Sequence, residues 1–479
     1  MEHKVNYTML FDFYELTMAN GYFQSDKKDS ICYFDVFYRE IPDGGGFAIA
    51  AGLEQVVEYI RDLHFGEDDL AYLRSKGVFA PEFLEWLRHF RFTGDVWAVP
   101  EGTPIFPREP IMTVRAPAVQ AQFLETYLLL TLNHQSLIAT KSSRIVRAAQ
   151  GRPVSEFGSR RAQGPSGALL GARASYIAGC SGTACAMADQ LYGVPATGTM
   201  AHSWVQMHDD EYSAFRAYCE IYPDNPVLLV DTYSVLKSGV PAAIKVFREL
   251  GITRGGIRID SGDLAYLSSR ARAMLDKAGL PDIKIIASNS LDEYIIRDLL
   301  LQGACIDGFG VGERLITAKS SPVFGGVYKL AAVEDQAGHI VPKIKISENP
   351  TKITLPQFKK VYRLFDNATG KAIADYICTC EEAPDFTQPL ELFDPECTWK
   401  RSVVTDYTAR PLLEPIFLNG QQVYELPPIE EVRAHCAAEL ATLWPEVKRF
   451  DNPHNYYVDL SHGLWDLRAR LLAEQGVRV

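Results

Sequence analysis

The run Gly256-Ile257-Arg258-Ile259-Asp260-Ser261-Gly262-Asp263-Leu264 is a short apolar strand that breaks into two carboxylates and then opens a helix. The helical spacing continues to Ala278 and stops at Gly279, a residue type suited to the left-handed turn that closes a helix. The same strand-then-helix unit recurs from residue 151 onward. Strands are expected at Val154–Phe157, Ala196–Met200, Val227–Val230, Gly256–Ile259, Lys284–Ala287 and Ile306–Gly310. Helices are expected between them, for example at Val240–Leu250, Leu264–Ala278 and Leu291–Leu301, with Gly251 and Gly303 as further terminators. Such alternation makes a parallel sheet with helices outside, open or closed into a barrel. Each strand is followed at once by unusual chemistry: Gly158–Arg161, His202, Asp231, Asp260–Asp263, Ser288–Asn289 and Gly310–Glu313. Polar groups converging from so many strand ends favour an irregular β/α barrel, because an open sheet sets fewer of them around one pocket.

Either side of this alternation the texture changes. Before it lie an amphipathic helix from Asp12 to Phe23, an alternating aromatic strand from Cys32 to Arg39, and short strands between Thr93 and Val114. A long helix follows from Ala121 to Ala149. After it come a lysine-bearing segment (Lys343 to Arg363), strands at Tyr362–Phe365 and Ala372–Cys378, and a helix from Ile429 to Leu443. The expected organisation is an N-terminal α/β domain over residues 1–150, a barrel over 151–340 and a small C-terminal lobe over 341–479.

At 479 residues the chain exceeds one ordinary domain, which agrees with that division. Its 48 basic and 60 acidic residues leave a net charge of −12, which argues against broad attraction to nucleic acid or an anionic membrane. No apolar run approaches the roughly 18–20 residues that a bilayer span needs. Met1-Glu2-His3-Lys4 lacks the charged-then-apolar layout of a signal peptide. The nine cysteines are odd in number and scattered, as in a reducing compartment. A cytoplasmic enzyme with no nucleic-acid or membrane partner is expected.

Several motifs carry chemistry, each beside a plainer reading. Asp260 and Asp263, three residues apart at a strand exit, suit Mg2+ or sugar hydroxyls; equally, Asp263 caps the next helix and Asp260 a turn. Gly308-Phe309-Gly310-Val311-Gly312 lets backbone N–H groups converge on a phosphate, or simply makes a tight turn. It is not a dinucleotide-binding fingerprint, since the glycine spacing and surroundings differ. Arg160-Arg161 suit a doubly anionic ligand, and Gly164, Pro165 and Gly167 beyond them imply an ordered loop. His202 follows an apolar strand, where an imidazole serves as acid, base or nucleophile. His208, beside Asp209 and Asp210, reads as a solvated helix residue. Cys378, Cys380 and Cys397 lack the spacing of zinc knuckles, so no zinc is expected. No Gly-x-Ser-x-Gly elbow is present.

Together these segments resemble the nicotinate phosphoribosyltransferases. The likeness is carried by Asp12-Phe13-Tyr14-Glu15-Leu16-Thr17-Met18, Ser155-Glu156-Phe157-Gly158-Ser159-Arg160-Arg161-Ala162-Gln163-Gly164-Pro165 and Gly198-Thr199-Met200-Ala201-His202-Ser203. It continues through Ile259 to Leu264, Ala287-Ser288-Asn289, Gly310-Val311-Gly312 and Gly325 to Leu330, and loosens over the C-terminal portion. The resemblance implies an α/β domain packed on an irregular, type II phosphoribosyltransferase-like barrel, in a homodimer with shared active sites. It implies that nicotinate, phosphoribosyl pyrophosphate, ATP and water give nicotinate mononucleotide, pyrophosphate, ADP and phosphate, with Mg2+, in NAD salvage. By the same resemblance His202 is the residue that becomes phosphohistidine. Tyr14, in trans, and Phe157 flank the pyridine ring, while Arg258 and Thr199 meet its carboxylate. Arg160 and Arg161 approach phosphate or pyrophosphate. Asp231, Asp260 and Asp263 serve ribose and metal, with Asp260 and Asp263 as metal ligands, and Gly310 and Gly312 cradle the 5′-phosphate. The sister enzyme for nicotinamide carries an Asp where this chain has Met200, and a carboxylate there would repel an acid substrate. An aldolase-like barrel would want a lysine at a strand exit, and none of these exits supplies one. Intact His202, Arg258, Asp260 and Asp263 argue against an inactive scaffold.

Overall fold

Six short strands rich in Val, Ile and Gly pair in parallel, and their side chains are buried on both faces, as a helix-covered sheet requires. In the computed structural model, which describes residues 6–349 and 352–476, these strands belong to a compact unit formed by Ile138–Pro322. They are β1 (Val154–Glu156), β2 (Gly182–Thr183), β3 (Val227–Leu229), β4 (Gly256–Ile259), β5 (Lys284–Ser288) and β6 (Gly308–Val311). Their spatial order is β2-β1-β6-β5-β4-β3. Helices Val240–Glu249, Leu264–Lys277 and Glu293–Leu301 follow β3, β4 and β5. Gly251, Gly279 and Gly303 close them with φ of 66°, 77° and 77°, as the sequence implies.

One expectation fails instructively. Ala196–Met200 is not a strand of the sheet: only Ala196 makes a bridge, to Thr183 of β2. The run leaves the ladder at Gly198, and residues 198–201 peel away. The edge position is taken by the two-residue strand β2, too short and too poor in apolar residues to be read from pattern. The peeled segment joins the two edges of the sheet. Thr197 N–H donates to the Thr183 carbonyl at one edge (2.8 Å). Toward the other, Arg258 Nη2 of β4, one strand in from the edge, donates to the Met200 carbonyl (2.6 Å), and His202 Nδ1 meets Thr232 Oγ1 just past the edge strand β3 (3.1 Å). Side chains complete the circuit that strand pairing leaves open, so the barrel is irregular.

Met1–Leu137 and Val323–Val479 form the second unit, built on a seven-stranded antiparallel sheet. Strand Val327–Glu334 pairs with Ile31–Phe37, and strand Glu414–Leu418 pairs with Asp95–Ala98. Chain beyond residue 323 thus completes the sheet begun before residue 137. The unit boundaries fall at 137/138 and 322/323 and not at the expected 150/151 and 340/341, because antiparallel pairing between remote segments leaves no local periodicity. The C-terminal portion also carries a four-stranded sheet of its own, made of Tyr407–Pro411, Lys359–Asp366, Ala372–Thr379 and Tyr457–Leu460. A buried ion pair secures the same union, Lys359 with Asp35 (2.7 Å), while Arg363 is held within the C-terminal segment by Asp375 (2.7 Å). Arg363 Nη2 also donates to the Pro104 carbonyl (2.8 Å). The reading of Met1–Lys4 lies outside the described residues, as do residues 350–351 of the lysine-bearing segment.

In this unit the helix Phe13–Gln24 turns Tyr14 outward and Glu15 inward. Glu15 is fully buried; one carboxyl oxygen accepts from Thr126 Oγ1 and the other, Oε2, has no partner. Burial pushes its pKa up to about 7; the Thr126 bond opposes the shift, and the charges of Glu125 and Asp12 add to it. A carboxyl raised in the folded state stabilises the protein at acid pH and loses that contribution as pH climbs through its folded value. Stability is therefore expected to fall by about 3 kcal/mol between pH 4.5 and 7 on account of Glu15. Glu15→Gln removes this loss, so its melting temperature relative to wild type should rise between pH 5 and pH 8. A difference that stays flat with pH would show that Glu15 does not carry the titration.

Candidate active site

At the strand exits of the barrel unit lies a cavity of about 440 Å3. Its wall includes Phe157, Arg160, Thr197–His202, Leu229, Arg258 and Asp260. Six of the residues singled out in the sequence therefore share one wall: Phe157, Arg160, Thr199, His202, Arg258 and Asp260.

Backbone constraint explains Phe157. Its N–H extends the β1–β6 ladder by donating to the Val311 carbonyl (2.8 Å), which lays the ring over Gly310. A Cβ at Gly310 would collide with that ring, and one at Gly158 would meet the Ile316 side chain at 2.6 Å. These glycines permit close packing beneath the site. Gly312 begins the one-turn helix Glu313–Ile316, whose Leu315 and Ile316 N–H groups bond its carbonyl (both 3.1 Å). Arg160 and Arg161 form a 3-10 turn with exposed side chains, and Glu313 beyond Gly312 pairs with Lys319 (2.7 Å).

The charged groups interlock. Arg258 is largely buried, and burial lowers its pKa, against the support of Asp260 and Asp231 and with the opposition of Arg160. Its Nη2 is used on the Met200 carbonyl, while its Nε has no hydrogen-bond partner. Asp231 accepts from Ser261 Oγ through Oδ2 (2.6 Å), and its Oδ1 is buried and unpartnered. Asp260 accepts from Ser288 Oγ through one oxygen; the other lies 3.9 Å from His202 Nε2. Two buried orphan atoms of opposite character, a guanidinium N–H and a carboxylate oxygen, are what a polar ligand would satisfy.

The remaining candidates stand apart from that wall. Asp263 caps helix Leu264–Lys277, accepting from Tyr266 N–H (3.0 Å), which is the plainer of its two sequence readings. Tyr14 belongs to the other unit, exposed on its helix, with its phenol held protonated by burial and by Glu125. His208 bonds the Trp204 carbonyl through Nδ1 (2.8 Å). Thr232, Ser261 and Ser288 orient His202, Asp231 and Asp260; Ser261 and Ser288 lie in the quoted segments without an assigned role, and Thr232 is missed. Hydroxyl residues are too common to signal a role; the available clue is position, one residue past a strand-end carboxylate for Thr232 and Ser261 and at a strand end for Ser288. Asn289 and Ser290, at φ of 91° and 50°, hold two successive left-handed conformations at the exit of β5.

Family models for the N-terminal and C-terminal domains of nicotinate phosphoribosyltransferase match residues 9–133 and 358–468. The chain is 43% identical to nicotinate phosphoribosyltransferase of Bacillus subtilis (strain 168) over 470 residues, covering 98% of this chain and 96% of that one. It belongs to the nicotinate phosphoribosyltransferase family. The Homo sapiens member is 33% identical, covering 98% of this chain and 97% of its own. The crystal structure of human nicotinic acid phosphoribosyltransferase superposes with a TM-score of 0.84 at 30% identity, covering 97% of this chain and 100% of that one. A nicotinate-nucleotide pyrophosphorylase from Pyrococcus furiosus shares the fold, with a TM-score of 0.71 at 24% identity. The family assigned to the chain is the one its motifs resemble.

Proposed function

We propose that the chain joins nicotinate to phosphoribosyl pyrophosphate, giving nicotinate mononucleotide and pyrophosphate, and that ATP hydrolysis through His202 drives the step. The observation that carries the substrate reading is Arg258: a cation buried in the cavity wall, its Nε unpartnered, beside Met200 rather than an acidic residue. An anionic pyridine carboxylate completes its hydrogen bonding, with Thr199 and Phe157 on the same wall. Attack of the pyridine nitrogen on the anomeric carbon expels pyrophosphate through an oxocarbenium-like centre. The protein's part is then to position and to balance charge, which needs no carbon-directed nucleophile. Arg160 and Arg161 receive the departing phosphates, the backbone at the Gly310-Val311-Gly312 strand exit meets the 5′-phosphate, and Asp231 and Asp260 face the ribose.

Mg2+ fits this set. Asp231 brings a buried, unpartnered oxygen and Asp260 an oxygen not bonded to Ser288, whereas Asp263 already spends one oxygen on its helix cap. Among the described residues no group of three ligating side chains gathers, which suits a metal carried largely by substrate phosphates and water. When bound, Mg2+ supplies positive charge to the pyrophosphate.

No helix among the described residues is long and apolar enough to cross a membrane, and we take the site of action to be the cytoplasm. Dimerisation is supported by the exposed apolar side chains Tyr7, Leu10, Phe13, Tyr14 and Met18, which a second copy would cover while Tyr14 reaches its pyridine.

Four experiments test these readings. Product analysis should give nucleotide from nicotinate far faster than from nicotinamide. Arg258→Ala should raise the nicotinate KM by roughly ten- to a hundredfold, the worth of one charge-assisted bond, and phosphoribosyl pyrophosphate KM much less. An unchanged nicotinate KM would take Arg258 out of the site. For His202, the tautomer in which Nδ1–H donates to Thr232 leaves Nε2, 3.9 Å from Asp260, to attack the γ-phosphoryl group, releasing ADP; water later returns phosphate and free imidazole. His202→Asn should abolish acid-labile labelling from γ-labelled ATP and the ATPase, with slow ATP-independent synthesis remaining. Label that persists in His202→Asn and vanishes in His208→Asn would overturn the assignment. Finally, inactive Tyr14→Ala and inactive Asp260→Ala subunits, once mixed and exchanged, should regain activity through hybrid dimers with one intact site. Exchange without recovery would exclude a shared site.

A further inference from the structure

Glu156 ends β1 with its carboxylate fully buried, yet it does not line the cavity and no role in the chemistry falls to it. Both of its oxygens are committed. Oε1 accepts the Gly158 N–H, and Oε2 accepts Thr183 Oγ1 (2.6 Å). Thr183 Oγ1 in turn accepts the Cys185 N–H (3.0 Å), and the Glu156 carbonyl accepts the Ala184 N–H (2.8 Å). Thr183 also exchanges backbone bonds with the peeled segment, donating to the Pro195 carbonyl (3.0 Å) and accepting from Thr197 N–H (2.8 Å).

One carboxylate therefore holds two pieces of cavity wall in register. The first is Phe157 with the 3-10 turn bearing Arg160; the second is Ala184 with the Thr197–Thr199 stretch. Burying a carboxylate is costly, and a barrel core needs none at this place. Here two donors compensate it: Gly158 N–H lies beyond the last pair of β1, and Thr183, the last residue of β2, pairs with Glu156 in the sheet and bridges to Ala196 of the peeled segment.

We propose that Glu156 is a positioning residue that sets the distance between the Phe157–Arg160 turn and the Thr197–Thr199 segment, and so the fit of the pyridine acid. The kinetic part rests on reading the cavity as the site of nicotinate and phosphoribosyl pyrophosphate; the structural part does not. Glu156→Gln keeps volume and shape. Its amide oxygen can still accept the Gly158 N–H, but its NH2 keeps the Thr183 link only if the hydroxyl turns its proton away and accepts a second N–H beside that of Cys185, which exchanges a charge-assisted bond for a weaker neutral one.

The test pairs steady-state kinetics with hydrogen exchange on the substrate-free full chain. Glu156→Gln should raise the nicotinate KM about tenfold while kcat changes less than about threefold. Exchange should quicken at residues 157–161 and 183–199, with the melting temperature held within a few degrees. Thr183→Val should give the same phenotype without adding to Glu156→Gln, and Thr183→Ser, which keeps the hydroxyl, should behave as wild type. If Glu156→Gln does not fold, Thr183→Val and Thr183→Ser carry the test alone. Unchanged exchange in both segments overturns the proposal whatever the substrate proves to be. So does altered exchange with an unchanged nicotinate KM in a chain whose wild type turns over nicotinate. A loss of kcat and melting temperature together, unrescued by the Thr183→Ser hydroxyl, would make the bond merely structural.

Discussion

A parallel sheet of six short strands has two edges, and everything at the mouth of this barrel depends on how those edges are joined. Strand pairing does not join them. Residues Pro195–His202 do, bonded by backbone to Thr183 at one edge and, toward the other, by the side chains of Arg258 on the penultimate strand and Thr232 past the edge strand. A closure made of main chain would have fixed a smooth wall. Because this one runs through a guanidinium and an imidazole, the residues that shut the barrel are also those facing the cavity. Structure and site chemistry therefore cannot vary independently here. Exchanging Arg258 for a shorter side chain removes a charge from the wall and a tie from the edge in one step.

The same economy governs the glycines. Gly158 and Gly310 are required because Ile316 and the Phe157 ring occupy the space a Cβ would take. At Gly310 the glycine serves packing: it lets the Phe157 ring, which lines the cavity, lie directly on the backbone of β6.

Much of this was legible in the chain. Strand ends carrying Asp260, Asp231, His202 and Arg160 pointed to one convergent face, and most of the strands and helices lie within a residue or two of where periodicity put them. What escaped had physical causes. Gly182–Thr183 is too short to have a period, and Ala196–Met200 has a strand's composition but leaves the ladder at Gly198. The union of the N-terminal and C-terminal segments rests on antiparallel partners some 300 residues apart, such as Cys32 with Val333, and nothing local announces them. Asp263 illustrates the limit of motif reading: its spacing from Asp260 suited a metal, while its place just before a helix demanded a cap, and the cap is formed.

Selectivity on the proposed reading follows from an imbalance already present without substrate. Arg258 has given up part of its hydration to burial, receives one carbonyl in exchange and keeps Nε unsatisfied. Asp260 and Asp231 stabilise its charge from a distance, but each is engaged with a serine hydroxyl. An anion entering beside Met200 offers what the wall lacks, whereas a neutral amide of the same shape satisfies hydrogen bonding without compensating charge. The difference between these ligands then lies in a desolvation cost incurred at folding and recovered only by an acid. A carboxylate at position 200 would pair with Arg258 internally and cancel the imbalance, which is why a buried methionine at that point matters as much as the arginine beside it.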